Sequence, residues 1–179
     1  MPKEILKKLT APDERNERIT LELLYNELNK IPLSNRIPED VANMIELSKK
    51  LCLYSYFEYD FYSVSTFFSC LAVEAALKVK LGKKQGCISE LSKLALEQKL
   101  LPSRVEFLFE PLRRLRNSYA HPKFKTVITP EMAVVSVLRI VDLVNCLFDP
   151  SAWEREPDIL TQQRIEYERI MKEIKNHKK

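Results

Sequence analysis

Three observations predict an all-α protein, a helical bundle of about five to seven helices. The 179 residues include only two glycines, whereas sandwiches and barrels need many tight turns and usually more glycine. No segment alternates apolar and polar residues long enough to read as a strand. Successive segments instead repeat apolar residues every three to four positions, as a helix with one buried face requires. A hydrophobic fraction of 45% and a charged fraction of 30% are those of a globular chain and speak against general disorder.

The elements follow in order. Residues 1–12 read as a lead-in. Asp13 is placed to cap a helix through about Lys30, with Ile19, Leu23, Leu24 and Leu28 as its apolar stripe. Pro32 to Pro38 is a connector. Pro38 suits the first turn of the next helix, and the two acids after it suit the positive end of the helix dipole. That helix carries Val41, Met44, Ile45, Leu47, Leu51 and Leu53, then runs into Tyr54, Tyr56, Phe57, Tyr59, Phe61 and Tyr62. The aromatic run is open to two readings: core or dimer seam, or a surface that stacks RNA bases. The absence of interleaved basic residues favours the first.

From Ser63 to Leu81 the stripe is Val64, Phe67, Phe68, Leu71, Ala72, Ala75, Ala76 and Val79, ended by Gly82. Ala72, Ala75 and Ala76 let another helix approach closely. Glu74 sits inside this apolar helix. It is either a half-exposed carboxylate with a surface lysine partner or an acid that orients a functional arginine or histidine. Lys83 to Gly86 forms a basic turn that lacks the glycine order of a phosphate loop. Ile88 to Leu100 is a short helix, and Pro102 opens the next, buried through Val105, Leu108, Phe109, Leu112 and Leu115. Thr129-Pro130-Glu131 starts a long helix. Its apolar residues from Val134 to Leu147 cover more than one side, which predicts a central position, and Asp149-Pro150 ends it. Trp153 falls in an irregular bridge, and Ile159 to Ile174 reads as an exposed final helix. The expected organisation is an N-terminal helix and connector over 1–38, a helical core over 39–148, and a bridge and helix over 149–179.

Charge and cysteine usage bound the function. A net charge of +4 permits contact with phosphates without demanding it. Arg104, Arg113, Arg114, Arg116, Lys123 and Lys125 cluster along the chain, and Lys172, Lys175, Lys178 and Lys179 close it as a solvated tail. Cys52, Cys70, Cys87 and Cys146 show no C-x-x-C spacing, and His121 and His177 are far apart, so neither a metal site nor a cofactor is expected. Each cysteine lies among apolar residues, which predicts buried, reduced thiols. The charged N-terminus lacks a signal-peptide pattern, and the most apolar run is interrupted by Arg139 and Asp142. A soluble cytoplasmic protein is expected.

The candidate chemistry lies in Arg113-Arg114-Leu115-Arg116-Asn117-Ser118-Tyr119-Ala120-His121-Pro122, the end of an amphipathic helix stopped by proline. Arg113, Asn117 and His121 share a face at four-residue spacing. Arg116 lies further round, within reach if the helix loosens before Pro122. A permanent guanidinium beside a group that titrates near neutral pH suits attack on a phosphodiester, where a proton moves and negative charge grows.

Here the chain resembles the HEPN superfamily, helical domains defined by an arginine, a polar residue, a few variable residues and a histidine. The motif reads Arg116-Asn117-Ser118-Tyr119-Ala120-His121, and the order of "FFSCLAVEAALKVKLG", "ISELSKLALEQKLLP" and "LRRLRNSYAHP" extends the likeness over roughly residues 39–148. The resemblance implies a metal-independent endoribonuclease of toxin or phage-defence type, acting on single-stranded RNA as a homodimer whose two motifs share a cleft. In it His121 moves a proton, Arg116 holds the scissile phosphate and Asn117 orients the pair, with Arg114 able to share the arginine's role. Arg113, Arg114, Lys123 and Lys125 would bind RNA, Glu74 is a candidate orienting acid, and an antitoxin or defence protein is a candidate partner. The same resemblance also implies an alternative, a non-catalytic nucleotide-binding or dimerisation module. No membrane association is expected, and RNA affinity should weaken as salt rises.

Overall fold

The computed structural model describes residues 10–17, 19–120, 128–154 and 160–161. Among them are six α-helices and no strand: α1 (Leu21–Leu28), α2 (Glu39–Tyr54), α3 (Phe61–Leu81), α4 (Ile88–Glu97), α5 (Phe109–Ala120) and α6 (Pro130–Phe148). This is the all-α bundle that glycine scarcity and periodicity predict. The final helix expected after Ile159 lies outside the described residues, apart from Leu160, which is buried, and Thr161.

Helix α3 packs most extensively on α2 and α6, with α4 and α5 against its later turns. Helix α6 is central, as expected. Thr129 caps it by accepting from Met132 N–H, Pro130 occupies its first turn, and buried residues surround it from Pro130 to Leu147. Gly82 ends α3 in the left-handed conformation at φ 63°. Lys83 N–H reaches Lys78 O and Gly82 N–H reaches Val79 O, so the last carbonyls are satisfied.

The first predicted helix is divided in two. Asp13 caps a short 3-10 turn, Glu14–Asn16, by accepting from Arg15 N–H, and α1 starts later with Thr20 accepting from Leu23 N–H. The break follows from Asn16, which is buried. Its amide donates to Ser55 O at 2.8 Å and Tyr56 O at 3.2 Å and accepts from Tyr62 Oη at 3.2 Å. A chain pinned there cannot continue as an exposed helix. Leu24 and Leu28 enter the core, whereas Leu23 is exposed. Pro38 directly precedes α2 as its cap residue, and Glu39 and Asp40 occupy the first turn.

Helix α3 departs most from the apolar pattern. Its buried residues are Tyr62, Ser65, Thr66, Ser69, Cys70, Ala72, Val73, Ala76 and Leu77. Val64 and Val79 are exposed, and Phe67, Phe68 and Leu71 are half-buried. Small residues face inward and bring α2 and α6 close. Their hydroxyls are satisfied by backbone: Ser65 Oγ donates to Ser48 O at 2.8 Å, Ser48 Oγ to Ser65 O at 3.1 Å, and Thr66 Oγ1 to Tyr62 O at 2.8 Å. The aromatic run likewise divides, with Tyr62 fully buried and Tyr54 exposed. Cys52, Cys70 and Cys146 are buried, but Cys87 is exposed, because it begins α4 at the surface after the basic turn.

Arg104 belongs to the interior rather than to a basic surface. It grips Asp142 through Nη1 to Oδ2 at 2.6 Å and Nη2 to Oδ1 at 3.1 Å, and Nη2 also reaches Ala152 O at 3.0 Å. Trp153 Nε1 donates to Cys146 O at 2.6 Å. Burial pushes the Cys146 thiol up to about 12. The cluster ties the bridge after α6 to the 3-10 turn before α5. A second tie fixes the first connector: Asn145 exchanges hydrogen bonds with Pro32 O and Ser34 N–H, and Asp149 accepts from Ser34 Oγ and Arg36 Nη1.

Two outcomes follow. Asp142→Ala leaves the Arg104 charge buried without its counter-ion and is expected to destabilise the fold by about 3 kcal/mol, lowering the thermal midpoint by roughly 10 °C, as calorimetry would read. The second concerns acid. Ser151 and Ser34 hydroxyls, with Arg36, hold the Asp149 carboxyl below its ordinary value, and the Arg15 side chain does the same for Asp13. The unfolded chain therefore takes up these protons first as pH falls. The stability they add is complete above the unfolded value of about 3.9 and is lost as pH drops through the folded ones. Urea unfolding between about pH 4 and pH 2 should show this decline, with a shallower slope for Asp149→Asn.

Candidate functional site

Helix α5 is aimed by its apolar side. Pro102 and the 3-10 turn Ser103–Leu108 lead into it, and Val105, Leu108, Phe109 and Leu112 are buried while Leu115 packs on the core. The arginines are left at the rim and toward α3.

Arg113 and Arg114 are committed to one carboxylate. Arg113 donates Nε and Nη2 to Glu110 at 2.8 Å each, and Arg114 Nε donates to Glu110 Oε1 at 2.7 Å. Arg113, then Arg114, holds the Glu110 carboxyl down at about 2. Glu110 and Arg114 are exposed at 50% and 75% of their side chains, so water screens these pairs and they set geometry more than stability. Arg114 keeps both Nη groups outside the pair and is the more exposed of the two arginines.

Arg116 is placed differently. It makes no hydrogen bond among the described residues, and its Nε lies 3.9 Å from Glu74 Oε2. The Glu74 side chain is only 14% exposed, and Oε2 is buried without a hydrogen-bond partner. Its other oxygen accepts from Lys78 Nζ at 2.7 Å. Glu74 thus has a lysine partner on its own helix and faces the motif arginine from the next, and it lies deeper than the half-exposed carboxylate of the first reading. A carboxylate this buried needs compensating charge, and two cations supply it. Charge rather than a hydrogen bond positions Arg116, which leaves its donors for an anion.

Asn117 is exposed on α5. His121, Lys123 and Lys125 lie outside the described residues. The geometry thus brings Glu74 and Arg116 together and separates Arg113 and Arg114 from them by tying both to Glu110. Lys78 is a member of the cluster that sequence reasoning missed. The signal was available, because a glutamate four residues before a lysine is the favourable order for a helical ion pair.

A cavity of about 640 Å³ lies elsewhere, between α1 and the end of α2, and Leu21, Tyr25, Leu53, Tyr54 and Phe57 line it with Glu22 and Lys50. It is apolar and has no cluster of titratable groups comparable with that at Glu74. Among the described residues no group of three or more His, Cys, Asp or Glu side chains converges as metal ligands would. No helix there is long and apolar enough to cross a membrane.

The two acids should differ in stability experiments. Glu74→Ala strands two half-buried cations and is expected to cost about 1–2 kcal/mol, whereas Glu110→Ala, in solvent, should leave stability nearly unchanged. Chemical denaturation of the two variants checks the contrast. No protein-family model, curated protein or solved structure matches this chain.

Proposed function

We propose that the chain is an endoribonuclease that cleaves single-stranded RNA without a metal ion, in the manner of a toxin or defence enzyme. The observation that carries this reading is Arg116: a guanidinium held beside a buried carboxylate, making no hydrogen bond among the described residues, while its two neighbours are tied to Glu110. A positioned but uncommitted guanidinium suits a phosphate oxygen, which it can meet with two parallel donors.

The chemistry then runs through three side chains. His121 takes the proton from a ribose 2′-hydroxyl, or supplies one to the departing oxygen. The 2′-oxygen attacks the adjacent phosphorus and the bond to the 5′-oxygen breaks, leaving a cyclic phosphate and a free 5′-hydroxyl. Arg116 offsets the charge that grows on the non-bridging oxygens. Glu74 holds Arg116 in place, and Asn117 orients the pair. DNA lacks the attacking hydroxyl and is spared. A homodimer that joins two such helix ends in one cleft belongs to the same reading.

End-labelled single-stranded RNA incubated with the protein in EDTA should be cut. His121→Ala should slow cleavage by about 100-fold or more, and Arg116→Ala by a similar factor. Expression of the wild type, and not of His121→Ala, should slow host growth. Equal behaviour of wild type and His121→Ala on RNA would eliminate the nuclease. A stable oligomer whose assembly ignores His121 would then identify a binding or dimerisation module.

A further inference from the structure

The cluster around Glu74 does more than support one arginine. Lys78 Nζ donates to Oε1 at 2.7 Å, and Arg116 Nε stands 3.9 Å from Oε2, so one negative charge faces two positive ones. The side chains of Lys78 and Arg116 are 29% and 36% exposed, against 14% for Glu74. The carboxylate is therefore the most deeply placed of the three. An ammonium has three donors and a guanidinium five. Among the described residues Lys78 uses one on a side chain and Arg116 uses none.

The pair on α4 differs in kind. Lys93 and Glu97 are 3.9 Å apart and 80% and 59% exposed, a neutral surface pair that water screens. Glu110 is also shared by two cations, but it stands half in solvent. At Glu74 the surplus positive charge sits over a carboxylate oxygen cut off from water. An incoming anion would meet that surplus less screened than at an exposed pair.

We propose that Lys78 is a second phosphate-contacting cation of this site. Glu74 holds it alongside Arg116, so that two helices, α3 and α5, each present one charge to the same RNA strand. This inference rests on the RNA reading above and adds to it a residue from outside the motif.

The test uses a fluorescent single-stranded RNA with every 2′-hydroxyl methylated, which cannot be cleaved. Fluorescence anisotropy in EDTA over a range of KCl concentrations compares the full chain with Lys78→Met, Lys78→Arg and Arg116→Met. Lys78→Met keeps the apolar stem, and a thermal melt verifies that each variant folds. The expected result is binding weakened several-fold in Lys78→Met. The slope of log affinity against log salt should fall by about 0.7, the loss of one phosphate contact on a single strand, and Lys78→Arg should restore both. Unchanged affinity and slope in Lys78→Met overturn the proposal. Weaker binding with an unchanged slope also overturns it, because that marks a structural role alone. If the wild type fails to bind, or Arg116→Met also binds unchanged, the RNA reading itself falls, an outcome distinct from failure at Lys78.

Discussion

The packing of α3 depends on small side chains facing inward. Ser65, Ser69, Ala72 and Ala76 are fully buried, and they let α2 and α6 approach more closely than phenylalanines on that face would allow. Such an interface gains from close dispersion contacts and from hydroxyls that find backbone acceptors, rather than from large apolar area. The reciprocal bonds between Ser48 and Ser65 fix the register of α2 against α3. Once that face is set, the opposite one must carry Val64 and Val79 in solvent.

The same rotation of α3 places its one carboxylate. Val73 and Leu77 point into the core, so Glu74, one step round the helix from Val73, reaches the border with α5. There its charge is too deep for water to satisfy fully, and it collects Lys78 from its own helix and Arg116 from the neighbour. The arrangement gives the arginines of α5 different partners. Glu110 satisfies Arg113 and Arg114 locally, and only Arg116 is oriented from across the bundle.

Ties outside the helices complete the frame. The Arg104–Asp142 pair and Trp153 bind the segment before α5 and the one after α6 to the core, and Asn145 with Asp149 holds the first connector. The Arg104–Asp142, Asn145–Pro32 and Ser34–Asp149 ties join residues far apart in the chain, and each uses a charged or polar group that composition alone would assign to the surface. Arg104 is the clearest instance: it reads as part of a basic patch in sequence and is a half-buried clamp on Asp142 in the fold.

What the sequence determined by itself is what neighbours within a turn can encode. Thr129 and Pro130 mark the start of α6, Gly82 marks the end of α3, the all-round apolar pattern of α6 marks its central place, and the spacing of Val105 to Leu115 marks the buried side of the 3-10 turn and α5. The pairing of Glu74 with Lys78 was legible on the same grounds. Tertiary structure decided the rest. Asn16 divided the first helix because its amide found Ser55, Tyr56 and Tyr62. The small face of α3 turned inward because two helices were available to press on it. Glu74 met Arg116, and Arg104 met Asp142, because distant segments were brought together. Caps and periodicity act through bonds a few residues long, whereas burial and charge compensation depend on which surfaces the whole chain brings into contact.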